Sequence, residues 1–222
     1  MPMLLFEYMK FNIAASRRIF TKNSKNQAIS KLIDGTVYDT DFKVLLVGSI
    51  LIASAAIFTD SIPVLIASMI IAPLATPILA LGLGIVMRDF GVSIRALSIL
   101  GVSCVMAMLI AGILTFCFDE SLIKDVYISF GGNRLAAIGI AVVAGGIGAY
   151  GMLSTKVASA VTGVAIAVSL MPPLVATSIN IVVGNYNLAR DAGILFLLNV
   201  AGILFASIIV FWWYRVGHDH SI

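Results

Sequence analysis

Apolar residues fall into six uncharged runs, 44–59, 61–87, 96–118, 135–155, 157–189 and 192–214, with charged residues closing each. A helix that crosses a bilayer needs about 20 predominantly apolar residues. Each run approaches or exceeds that length, and Phe42 and Ser61 extend the first. The pattern predicts six transmembrane helices. The second and fifth runs are the longest, and both are interrupted: IAPLATPILALGLG carries Pro73 and Pro77, and SLMPPL carries Pro172 and Pro173. Four of the six prolines in the chain therefore lie near the middles of these two runs. Proline removes a backbone donor, and lipid supplies no substitute for the lost hydrogen bond. The pattern thus predicts spans broken near their middles.

The two broken runs resemble each other. Pro73-Leu74 recurs as Pro173-Leu174, Ile66-Ala67 as Ile166-Ala167 and Gly84 as Gly184, all at a spacing of one hundred; Arg88-Asp89 recurs as Arg190-Asp191. Three spans separate equivalent points, and an odd number reverses the direction of the chain. The fold expected is an all-α integral membrane protein built from two inverted three-helix repeats. They cover 43–118 and 135–214, with proline-broken second and fifth helices, the layout in which transport sites are found at the breaks. Residues 119–134 form the external loop between the repeats, and 215–222 a cytoplasmic tail.

The string IAPLATPILALGLG with its trailing Arg88-Asp89, the later VSLMPPLVAT and the sixfold layout resemble the prokaryotic membrane proteins grouped as domain of unknown function DUF389. The resemblance covers roughly residues 40–214. It implies a membrane protein of six or so spans. Some members of that family carry a larger soluble portion, which residues 1–42 are too short to supply.

Composition agrees with the pattern. The chain is 60% hydrophobic and 11% charged, against about 25% charged for a soluble domain. Its mean hydropathy is +1.08. With both ends on one side, that side holds 11 of the 14 Lys and Arg residues. This bias predicts cytoplasmic termini and a multi-pass protein of the inner or plasma membrane. Trp212, Trp213 and Tyr214 close the last span as an interfacial anchor. Residues 1–42 read as a basic amphipathic segment on the cytoplasmic leaflet, with Phe6, Met9, Ile13 and Phe20 on one face; Thr40 or Asp41 is the expected cap of the first span. The net charge of +3 gives no reason to expect nucleic acid as a partner. Cys104 and Cys117 form no CxxC pair, and the lone histidines of the tail, His218 and His220, make a poor metal site. No cofactor is indicated.

The candidate site follows from the breaks. A proline inside a helix frees the carbonyl four residues earlier, so Pro73, Pro77, Pro172 and Pro173 are expected to free the oxygens of Met69, Pro73, Val168 and Ser169. Thr76, Ser169, Thr177 and Ser178 supply hydroxyls nearby. Each break also starts a new helix whose amides favour an anion. Asp60, Arg88, Asp89, Arg190 and Asp191 stand at span ends as candidate vestibule charges. The spans contain no ionisable side chain other than cysteine and tyrosine, so a carboxylate proton relay and an intramembrane enzyme are both disfavoured. The expected function is a transporter or channel for a small solute or ion, in a homo-oligomer within the lipid bilayer. The rival is a non-transport membrane protein that binds lipid or a partner through its basic first residues. Small residues every fourth position, Ala137, Ala141, Gly145 and Ala149, are expected to serve close helix packing.

Overall fold

The computed structural model describes residues 22–117, 134–154 and 170–217. Among them the structure is all-helical: α1 (Lys22–Asp34), α2 (Thr40–Phe58), α3 (Ile62–Ile71), α4 (Ala75–Met87), α5 (Phe90–Cys117), α6 (Arg134–Leu153), α7 (Met171–Val182) and α8 (Tyr186–Trp213). Helices α2, α5, α6 and α8 are each long and apolar enough to cross a membrane, and α3 and α4 together make a fifth such element, bent by 45°. The fifth apolar run is described only from residue 170 onward. Its earlier part, the expected turn in 119–133, the histidines of the tail and residues 1–21 lie outside the described residues.

The helix ends follow local chemistry. Helix α2 starts on Asp39, whose Oδ1 accepts from the Phe42 amide at 2.8 Å; the cap is Asp39 rather than Thr40 or Asp41, because only Asp39 precedes the first turn with an extended backbone. Helix α4 ends in a Schellman turn. The Asp89 amide donates to the Gly84 carbonyl at 2.9 Å and the Arg88 amide to the Ile85 carbonyl at 3.2 Å, with Arg88 left-handed at φ 57°. Helix α7 ends the same way. Asn185 donates to Asn180 at 2.8 Å and Gly184 to Ile181 at 3.2 Å, with Gly184 at φ 82°.

These two turns fix the register of the internal likeness. Arg88 stands 96 residues before Gly184, and the same spacing relates Ala75 to Met171 and Phe90 to Tyr186 at the helix starts. The match at one hundred is therefore corrected to 96. Pro77 and Pro173, each the third residue of its helix, are the equivalent prolines. Arg190 and Asp191 lie inside α8 and have no kinship with Arg88 and Asp89. The match at one hundred rests on single residues, which apolar helices share by chance, whereas the spacing of 96 aligns helix starts and turn together; the turn alone is common, since α2 and α8 close in the same way around Asp60 and Arg215.

Packing repeats at that spacing too. Helix α4 packs on α5 and α8, and α7 on α8 and α5; α6 packs on α8, and α2 on α5. Helix α6 runs parallel to α8: Arg134 meets Asp191 near their starts, Gly145 meets the Ile203 backbone, and the Tyr150 and Tyr214 rings lie 6.1 Å apart near their ends. A Cβ on Gly145 would stand 2.6 Å from the Ile203 Cα, so the small-residue stripe of α6 does serve close approach. Helix α4 also runs parallel to α8, with Gly82 on Ser207 and Met87 on Gly217.

Helix α1 departs from expectation. Its Ser24, Ala28, Ile29 and Leu32 are buried, and it packs against α4 and α6. The described part of the amino-terminal segment thus turns its apolar face to protein rather than to a leaflet. One stripe of apolar residues fits either surface, and only the folded bundle decides between them.

Candidate functional site

The bend between α3 and α4 is a true discontinuity. Ala72 caps α3 with an extended backbone, φ −62° and ψ 123°, and its amide donates to the Ser68 carbonyl at 3.2 Å. Pro73 follows outside either helix, and α4 starts after Leu74 without a side-chain cap. Helix α7 starts after Leu170, also without a side-chain cap. Pro77, Pro172 and Pro173 all fall in the first turn of a helix, where a missing amide hydrogen leaves no carbonyl without its partner. The expected release of the Pro73 oxygen by Pro77 is accordingly corrected: Pro77 starts a helix and does not interrupt one. Val168 and Ser169 lie outside the described residues.

The starts of α4 and α7 are both buried in the apolar core that runs the length of the bundle. Ala72, Leu74, Ala75, Leu170 and Met171 all belong to it, and Leu74, Leu170 and Met171 are wholly buried. Met69, Pro77, Pro172 and Pro173 are buried as well. The described cavities lie elsewhere. One of about 350 Å³ sits at the α4–α5 turn against Arg88, Asp89 and Phe90, and another of about 500 Å³ lies on the outward face of α6 along Gly139, Ile140 and Val143.

The candidate hydroxyls divide. Thr177 donates to the Pro173 carbonyl at 2.6 Å, one turn back on its own helix. Ser178 donates to the Met108 carbonyl of α5 at 2.5 Å and holds two helices together. Thr76 is half-buried at the start of α4, and its methyl group presses on Gly35 so closely that a Cβ there would overlap it. Its hydroxyl makes no side-chain hydrogen bond among the described residues.

The end charges have structural work. Asp60 is exposed in the left-handed turn that closes α2, at φ 48°. Asp89 Oδ1 accepts from the Val92 amide at 3.1 Å and caps α5. Asp191 pairs with Arg134 at 2.8 Å, tying α8 to α6, while Arg190 is exposed. They are spread over both ends of the bundle and do not converge.

Sequence reasoning missed a pair of crossings at the 96 spacing. Gly82 of α4 faces Ser207 of α8, whose hydroxyl donates to Leu204 O at 2.8 Å. In the equivalent place Ser178 of α7 faces Gly112 of α5 and donates to Met108 O. Glycine and serine have exchanged helices, but each crossing keeps one of each. Comparing 82 with 178 finds the short-helix members of the pair; the long-helix members are offset by one residue, since Gly112 aligns with Ile208, next to Ser207.

Among known proteins, no solved structure matches the chain. An uncharacterized protein of the archaeon Methanocaldococcus jannaschii is 32% identical over 173 residues, which cover 78% of this chain and 54% of that protein. The chain thus spans about half the length of the curated relative it matches. The family model for the domain of unknown function DUF389 matches residues 69–205, from the break through most of α8. The chain belongs to the DUF389 family.

Proposed function

We propose that the chain is a transporter or channel for a small solute or ion, built from two inverted repeats, with its path passing between the starts of α4 and α7. The observation that carries the reading is the recurrence, at a spacing of 96, of a whole unit: a short helix starting uncapped in the apolar core, a Schellman turn, and a 28-residue helix. Discontinuous helices at corresponding places in two halves are the strongest sequence pointer to a transport site. The absence of capping side chains at Leu74 and Leu170 supports it further: Ala75 and Thr76 at the start of α4 and Met171 at the start of α7 carry amides with no side-chain cap, whereas Pro77, Pro172 and Pro173 have none to offer. Thr76 is the hydroxyl best placed to join those amides. The membrane assigned is the inner or plasma membrane, with cytoplasmic termini and more than one copy per assembly, and no enzyme activity is assigned.

Flux into proteoliposomes tests this, using anions, cations and neutral solutes in turn. Wild type is expected to pass one class, and Pro77→Ala combined with Pro173→Ala to lower that flux at least about tenfold by letting both helix starts extend. Equal leakage of every solute, with and without protein, would remove the transport reading and leave the rival, a lipid- or partner-binding membrane protein.

A further inference from the structure

We propose that the outer face of α1 and the start of α2 line a water-filled vestibule. It reaches from the end of the bundle where α4 and α8 finish to the depth of the α3–α4 break. This deepens the transport reading and rests on it for its purpose, though not for its test.

Two contacts set the depth. Gly35, just past α1, touches Thr76 at the start of α4. Helix α4 runs beside α8 with Gly82 on Ser207 and Met87 on Gly217, so Thr76 stands level with the central turns of α8. Independently, the Tyr38 hydroxyl meets the sulfur of Met106, near the centre of α5. Helices α5 and α8 have 28 residues each, about 42 Å, and the 35–38 loop sits at mid-height of both. From there α1 lies back along α4 and α6. The second half is built differently, since α6 begins level with the first turns of α8, where Arg134 meets Asp191.

At that depth the outward residues are polar. Asn23, Asn26, Gln27, Ser30, Lys31 and Asp34 share one face of α1, each three or four residues from another of the set, all exposed, opposite its buried Ala28 and Leu32. Asp39, Asp41 and Lys43 continue the exposed polar surface onto α2. Elsewhere the same level is apolar: Val102 and Val105 of α5 and Ile140 and Val143 of α6 are exposed. Hydrocarbon accepts the second kind of surface and rejects the first, because Lys and Asp side chains inside a bilayer need water or a partner. Within the described residues the outward charges of this strip make no ion pair with the helices beside it. Water is the occupant that satisfies both signs of charge at once. The floor of the vestibule is the contact of Gly35 with Thr76 and of Tyr38 with Met106, which closes the path at the break.

Labelling of the full-length protein in membrane vesicles tests the inference. Cys104→Ser and Cys117→Ser remove the native thiols, and single cysteines are then placed by Lys31→Cys, Asp34→Cys, Asp41→Cys, Ile140→Cys and Arg215→Cys. With a charged, membrane-impermeant methanethiosulfonate, positions 31, 34 and 41 are expected to react within about tenfold of position 215, and position 140 at least about a hundredfold more slowly. Reaction at 31, 34 and 41 as slow as at 140 would overturn the vestibule, whether lipid or a second copy covers the strip. Elution of each variant at the wild-type volume in detergent guards against misfolding. Fast labelling without solute flux keeps the vestibule and removes the transport reading; flux without labelling does the reverse.

Discussion

Gly82→Ser places a hydroxymethyl group where Ser207 already presses, and overpacking of this kind costs about 1–3 kcal/mol. Adding Ser207→Gly to the same chain recreates the arrangement of Ser178 and Gly112, in which the serine sits on the short helix and the glycine on the long one. The double variant is expected to regain most of the thermal stability lost by the single one, measured by melting in detergent. A double variant as unstable as the sum of its parts would show that the two crossings are not equivalent. None of these four residues stands out in the sequence, because a small residue in an apolar run has many uses. What singles them out is the register, and that comes from backbone turns around Arg88 and Gly184, one of which has arginine rather than glycine at its left-handed position.

Among the elements, the long helices were legible because charge bounds them: Asp39 opens α2, Asp89 opens α5, and Arg215 lies just past α8. The short ones were not. A proline in an apolar run reads equally as a kink or as a first turn, and the backbone chooses the first turn for Pro77, Pro172 and Pro173. The two equivalent turns also differ in a way that can be measured. Asp89 caps α5 through its side chain, whereas Asn185 precedes α8 with no such bond. Asp89→Ala is expected to cost about 1 kcal/mol and Asn185→Ala only a few tenths, read from the same melting experiment. Equal losses would mean that capping does not distinguish the turns. The candidate site was half legible for the same reason. Sequence located the breaks, but Thr177 and Ser178 spend their hydroxyls on Pro173 and Met108, which only the packing discloses.

For the whole molecule, the inversion proposed above makes a directional statement. Phe90 and Tyr186 are exposed, stand at the 96 spacing and each begin a long helix. Phe90→Cys and Tyr186→Cys, each in a chain without other thiols, are therefore expected to react with an impermeant reagent from opposite sides of sealed vesicles. Reaction from the same side would dismiss the inverted repeat while leaving the helices as they are. The charge bias on which this rests is read from residue types; the packing of α1 against α4 and α6 is not, since Ala28, Ile29 and Leu32 suit a membrane surface and a protein groove equally. The 45° elbow carries a mechanical consequence. On one side of it, α3 has only Ser68 and Met69 buried; on the other, α4 has eight buried residues and is clamped by α5 and α8. Torque applied at Ala72 and Pro73 therefore meets two unequal arms: α3 leans on α2, whereas α4 is held between α5 and α8.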